Sequence, residues 1–229
     1  ELGGKSPNII LEDVDLENAV TMGIKQCFLN TGQSCSSPTR MLLPGNMLKE
    51  ATEYAVAAAN SMSTGDPLNE DIYLGPISNK TQYEKVQDLI QKGIDEGATL
   101  ACGGIGRPDG LDKGFFVKPT VFTDVDNKMT IAQEEIFGPV ICLIPYSNIE
   151  EAIKIANDSA YGLSSMISCS DEEKAKTIAK RIRTGQVILN RISRGDYPAP
   201  FGGFKMSGNG REHGLFGIDE YLEVQAVIT

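Results

Sequence analysis

The chain has a single histidine, His213, and only five cysteines at wide spacings, Cys27, Cys35, Cys102, Cys142 and Cys169. No cysteine pair stands at zinc-ligand spacing, so a structural zinc site is not expected, and an odd, scattered set argues against a disulfide framework. No run of about eighteen apolar residues occurs, which excludes a spanning helix on sequence grounds. No basic, apolar-cored leader opens the chain, so a soluble cytoplasmic protein is the expectation. No Gly-x-Gly-x-x-Gly follows a strand-like run; Gly208-Asn209-Gly210 comes late and lacks the spacing and acidic partner of a dinucleotide fingerprint. Basic residues are also short, 21 Lys and Arg against 31 Asp and Glu, for a formal net charge of −10. An acidic surface repels phosphate backbones and anionic lipid, so no nucleic acid or membrane partner is expected.

What is present suits a globular α/β protein. Its 229 residues can bury a core, and 41% hydrophobic content is ordinary for a soluble domain. Asp15 can cap a helix whose apolar positions Leu16, Ala19, Val20, Ile24, Cys27 and Phe28 recur near a 3.6 period. Residues 49–62 are rich in alanine and helix formers. Ser78 can cap a third helix carrying Val86, Leu89, Ile90 and Ile94, with Gly97 as its stop. Further helices follow Asn148 and Ser170. Between them, Ile9-Ile10-Leu11, Met41-Leu42-Leu43 and the apolar runs at 140–144, 163–167 and 187–189 read as buried strands. Continuous apolar strands separated by helices predict a mostly parallel sheet covered by helices on both faces. Residues 221–228 alternate less cleanly and are expected to form an edge strand that pairs with another element or subunit.

The stretch Asn30-Thr31-Gly32-Gln33-Ser34-Cys35 follows an amphipathic helix and precedes a strand, which places Cys35 on a turn. Small neighbours let backbone N–H groups approach a ligand closely. A thiolate there can attack a carbonyl, and the Cys35 N–H can help hold the resulting oxyanion. The bland reading is an exposed loop cysteine. At the start of the chain Glu1 stands before Leu2-Gly3-Gly4, and a carboxylate beside two glycines has the reach a general base needs. By pattern alone, a turn into the first strand is the simpler account.

Five segments, ELGGKSPNII, NTGQSC, EEIFGPV, PFGGFKMSGNGRE and YLEV, occur in this order and together resemble the aldehyde dehydrogenase superfamily nearly end to end. The resemblance implies the catalytic domain of that family. It makes Cys35 the nucleophile and Glu1 the base that activates the deacylating water. It gives Glu135 and Phe137 contacts to the nicotinamide ribose and ring of NAD or NADP. It places Ser34 and Ser36 beside the nucleophile, and Asn190, Arg194, Tyr197 and Phe201 along a substrate channel. Arg211 and the glycines of the Pro200-Phe201-Gly202-Gly203 turn are expected to serve folding. The implied reaction converts a small aldehyde to a carboxylic acid through a thiohemiacetal and a thioester on Cys35. Its nucleophile would profit from a thiol pKa below about 8.5.

In that family the cofactor-binding domain and an oxyanion-holding asparagine lie largely upstream of the glutamate signature. The expectation is therefore a catalytic domain over residues 1–218, a C-terminal oligomerisation strand over 219–229, an absent cofactor domain and little turnover from these residues alone. Homodimers or tetramers are implied through the helix after Asp15 and the final strand. Three rival readings remain open. A thiol hydrolase would have to pair Cys35 with His213. A CoA-acylating dehydrogenase shares fold and nucleophile but does not use the glutamate as its water-activating base, so ELGGK favours the hydrolytic type. A non-catalytic relative would have kept the fold and lost the chemistry.

Overall fold

A computed structural model describes residues 1–191 and 198–229. The chain builds strands β1 (Pro7–Ile10), β2 (Arg40–Pro44), β3 (Thr99–Cys102), β4 (Thr120–Thr123), β5 (Val140–Tyr146), β6 (Ser164–Ser168) and β7 (Gln186–Leu189). Its helices are α1 (Leu16–Phe28), α2 (Leu48–Asn60), α3 (Lys80–Asp95), the single turn α4 (Thr130–Gln133), α5 (Ile149–Asn157) and α6 (Glu172–Ala179). The strands form one seven-stranded sheet in the order β3-β4-β5-β2-β1-β6-β7. All pairings are parallel except that of β3 with β4.

Both faces of the sheet are covered, as the apolar runs predict. Ile10, Met41, Leu43, Val121 and Ile141 pack with α1 and α2 through Val20, Ile24, Phe28, Ala51 and Ala55. Ile9, Leu42, Phe122, Cys142 and Ile167 pack on the other face with Val86, Ile90, Ala152, Ala175 and Ile178 of α3, α5 and α6. Adjacent residues of one strand serve opposite layers, which is why these strands read as unbroken apolar runs.

Helix starts follow the capping chemistry. The side chains of Asp15 and Asn148 accept from Asn18 N and Glu151 N. One cap falls one residue later than expected: Asn79, not Ser78, caps α3, its side chain accepting from Gln82 N. Asp171 caps α6 through Glu173 N and Lys174 N. β3 and β4 are additions: each has four residues, and β3 is half exposed at the sheet edge. Residues 218–221 form a 3-10 turn, and 222–229 are exposed and pair with no strand among the described residues.

Arg40, the first residue of β2, is 1% exposed. Its Nε donates to Lys5 O at 3.0 Å, Nη1 to Asn127 Oδ1 at 2.8 Å and Ile155 O at 2.9 Å, and Nη2 to Ala156 O at 2.9 Å. Burial lowers its pKa to about 10, with Cys142 and Asp158 opposing, so the guanidinium stays charged at neutral pH. Replacing it would strand several buried acceptors at once. Arg40→Met is therefore expected to destabilise the fold by about 3–5 kcal/mol in urea titration. A loss below about 1 kcal/mol would show that the carbonyls find other partners.

Candidate active site

β1, β2 and β5 are parallel neighbours, so the segments leading into them arrive at one edge of the sheet, the amino edge. These segments carry Glu1, Cys35 and the pair Glu135 and Phe137. Cys35 lies on a turn and is half-buried. A side chain at Gly4 would reach Cys35 O at 2.6 Å, so the stretch after Glu1 runs directly beneath the nucleophile turn.

The turn is tightly wound. After α1 ends at Phe28, Asn30, Thr31 and Gly32 all take left-handed backbone angles, with φ of 53°, 59° and 70°. A Cβ at Gly32 would meet Gly138 O at 2.2 Å, so only glycine lets this turn close against the loop that carries Glu135 and Phe137. Thr31 Oγ1 donates to Gly75 O at 3.2 Å. Ser34 and Ser36 flank the thiol with their hydroxyls 3.4 Å apart.

The stretch after Glu1 is also anchored. Leu2 N donates to Ser207 O at 2.9 Å, and Ser207 Oγ donates to Gly3 O at 2.7 Å while accepting from Gly162 N at 2.9 Å. Ser207 lies in the PFGGFKMSG segment, which thereby supports the glutamate. Phe201 shares with Glu1 a cavity of about 150 Å3, lined also by Arg211, Glu212 and Tyr221. Arg211 serves folding there: its Nη1 donates to Gly203 O at 3.0 Å and Gly210 O at 2.6 Å, and its guanidinium lies over the Phe204 ring.

Burial, then a hydrogen bond to the Glu1 carboxylate and the charge of that carboxylate, push the Cys35 thiol up to about 11; the backbone N–H groups of Ser36 and Cys35 pull the other way. The expectation was a depressed thiol pKa. Instead the thiol stays protonated at neutral pH with the Glu1 carboxyl group beside it, which puts a potential nucleophile next to a group that could accept its proton. The group that bears on Cys35 is Glu1 and not His213, which sits beside Glu212. This disfavours the thiol hydrolase reading.

Glu135 Oε1 accepts from Gly4 N at 3.0 Å. The Glu135 carboxylate is half-buried, and so is the ring of Phe137, whose φ is 59°. Carbonyls of Ile136 and Phe137 are held at 2.8 and 3.1 Å by Gln82 Nε2 from α3. A part-exposed carboxylate that can accept from ribose hydroxyls, beside a part-exposed ring on the edge that carries Cys35, fits a nicotinamide nucleoside.

Not every expected residue joins this cluster. Asn190 follows β7 at the opposite, carboxyl edge, and its Oδ1 accepts from Cys169 N at 2.8 Å, so that side chain ties the β6–α6 turn. Arg194 and Tyr197 lie outside the described residues. Cys102 is half-buried on the edge strand β3. Arg40, Gln33, Gln82 and Ser207 were not singled out by sequence reasoning, since a lone polar residue at a strand or helix start looks like surface. Among the described residues no group of three or more His, Cys, Asp and Glu is arranged to hold a metal, and no helix is long and apolar enough to cross a membrane.

Peptide mapping after iodoacetamide treatment should find Cys35 labelled first, Cys102 next, and Cys27, Cys142 and Cys169 last. Below a pKa of about 11 the Cys35 rate should climb about tenfold per pH unit with the thiolate fraction. Glu1→Gln removes a neighbouring negative charge, so its profile should move to lower pH. An unchanged or upward-shifted profile would count against the Glu1–Cys35 pairing.

Comparison with known proteins agrees with this geometry. The sequence matches the aldehyde dehydrogenase family over residues 1–227. It is 54% identical over 228 residues to a 3-succinoylsemialdehyde-pyridine dehydrogenase of Pseudomonas sp, covering 100% of this chain and 48% of that protein. Among solved structures it resembles a mutant of aldehyde dehydrogenase C (AldC) from Pseudomonas syringae in complex with NAD+ and octanal. That match has a TM-score of 0.95 and 54% identity, and covers 97% of this chain and 46% of that one. A Mycobacterium tuberculosis aldehyde dehydrogenase complexed with NAD+ matches with a TM-score of 0.93 and 48% identity, over 96% of this chain and 45% of that one. The chain spans about half the length of the curated relatives it matches. On its sequence and its fold together, this chain belongs to the aldehyde dehydrogenase family.

Proposed function

We propose that this chain carries the nucleophile and the general base for NAD-dependent oxidation of an aldehyde to a carboxylic acid. The observation that carries the reading is the pairing of the Cys35 thiol with the Glu1 carboxylate at the amino edge of β1 and β2. Glu1 takes the thiol proton as Cys35 Sγ adds to the aldehyde carbon, and the Cys35 N–H faces the developing oxyanion of the thiohemiacetal. Glu135 and Phe137 would hold the nicotinamide nucleoside, which when bound supplies the hydride acceptor that turns the thiohemiacetal into a thioester. Glu1 gives up that first proton to solvent and then takes one from water, whose oxygen attacks the thioester carbon; the C–S bond breaks, the acid leaves, and the proton on Glu1 returns to Sγ. The same carboxylate serves both halves because the thiol and the thioester occupy one place. NAD is preferred to NADP because solved relatives hold NAD+. A water-activating glutamate sets this reading apart from the CoA-acylating alternative.

In a chain matching the full length of the relatives, a panel of aldehydes including octanal should yield NADH absorbance. Cys35→Ala should abolish that signal while leaving the melting temperature within a few degrees of the parent. Substantial oxidation by the alanine variant would overturn the mechanism.

The assembly belongs to the same reading. Tyr221, Val224, Val227 and Ile228 are 88%, 99%, 83% and 93% exposed, an apolar load that a second copy would cover. We propose a homodimer that buries α1 chiefly and the tail secondarily. Light scattering should give about twice the monomer mass of 24.7 kDa, and deletion from Tyr221 onward should leave the dimer. A monomer mass at tens of micromolar would refute the dimer.

A further inference from the structure

Two glutamines outside the reacting set have unusual contacts. Gln33 stands two residues before Cys35. Its Oε1 accepts from Ser78 N at 2.8 Å, and its Nε2 reaches Asn30 O and Pro76 O, each at 3.3 Å. One side chain thus closes the left-handed turn on itself and bolts it to residues 76–78. Gln82 stands in the first turn of α3. Its backbone N–H is capped by Asn79, and its Nε2 donates to two successive carbonyls, Ile136 O and Phe137 O. Two carbonyl acceptors fix which end of the amide faces them.

The segment between the glutamines is short and stiff. Thr31 Oγ1 reaches Gly75 O, Gln33 reaches residues 76 and 78, Asn79 caps the helix, and Gln82 reaches the Phe137 loop. Residues 75–82 therefore touch the nucleophile turn at one end and the cofactor-facing loop at the other. The two loops meet directly where Gly32 lies against Gly138 and Pro139, a backbone contact on the glycine side with no side chain to fix it. Phe137 sits at a φ of 59°, a backbone state that is strained for a residue with a Cβ and persists only when its surroundings impose it. The double carbonyl contact from Gln82 is such an imposition.

We propose that Gln33 and Gln82 are positioning residues that act through residues 75–82 to hold the nucleophile turn and the cofactor-facing loop in one fixed relation. The functional meaning rests on the proposed roles of Cys35, Glu135 and Phe137. The coupling itself is a mechanical statement about this chain, and it can be read without aldehyde or nicotinamide.

The test is a double-mutant cycle read by the alkylation rate of Cys35 with iodoacetamide, across pH, by peptide mapping. Gln82 makes no hydrogen bond to the Cys35 turn, so a local role predicts no effect of its substitution there. Coupling predicts that Gln82→Met loosens the turn, raises the Cys35 rate at neutral pH roughly threefold to tenfold, and moves the pH profile downward as the thiol gains solvent. Gln33→Met should do the same, and the double variant should exceed neither single variant by much. Gln91→Met, on the exposed side of α3, should leave the rate unchanged.

A second pair of variants separates contact from general damage. Gln82→Lys keeps a donor for the two carbonyls and should retain the parent rate; Gln82→Glu sets an acceptor against them and should raise it. Equal rates for the Lys and Glu variants, or a Cys35 profile that ignores Gln82 while following Gln33, would overturn the proposal. Failure of the reaction mechanism would show instead as oxidation surviving Cys35→Ala, so the two failures are distinct.

Discussion

The guanidinium of Arg40 is the point on which the site's geometry hangs. It is a buried cation that, among the described residues, donates to backbone carbonyls of Lys5, Ile155 and Ala156 and the side-chain carbonyl of Asn127. Those acceptors belong to the Glu1 segment, the end of α5 and the loop ahead of α4. Arg40 itself opens the strand that Cys35 leads into. Asn127 passes the connection on: its amide donates to Asp158, and Gln133, two residues before Glu135, donates to Asn127 O and Asp158 O. Each of the three segments that supply chemistry is thus referenced to one planar, five-donor group, which lysine could not replace.

Ligands of open parallel sheets usually sit at the carboxyl ends of the strands. Here Glu1, Cys35 and Phe137 collect at the amino edge, on segments that return from helices or loops before entering β1, β2 and β5. Such segments owe their shape to side-chain contacts more than to the sheet ladder. That is why glutamines, a buried serine and an arginine are so prominent among the supports of this site. It also accounts for the high thiol pKa. The elements around Cys35 bring apolar burial and a carboxylate to it, so ionisation waits on the transfer of a proton to Glu1.

Much of this was legible in the sequence. Buried parallel strands announce themselves as unbroken apolar runs, and Asp15 and Asn148 named their helices by capping. The segments that carry Cys35 and Glu1 were legible through the family resemblance, and the fold brings both to the amino edge of the sheet. The missing parts share a physical cause. β3 and β4 have four residues each, too few to leave a periodic signal, and β3 is half exposed besides. Asn79 rather than Ser78 caps α3, a choice between two adjacent capping residue types that local pattern does not settle. Arg40, Gln33 and Gln82 take their meaning from carbonyls tens of residues away, and a sequence shows donors without showing acceptors. The Asn190 side chain ends at the carboxyl edge because a strand carries its first and last residues to opposite rims.

Thr31 gives this site a further property. A β-branched residue at a φ of 59° stands in one of the least comfortable backbone states open to it. Glycine at that position would relieve the backbone by about 1–2 kcal/mol, against the loss of one hydroxyl contact to Gly75. The turn that aims the nucleophile is therefore a local store of instability. Selection of variants for heat resistance alone, scored by melting temperature, would drift toward a relaxed turn and away from a well-aimed thiol. Resilience and aim are opposed at a single residue, four positions ahead of Cys35.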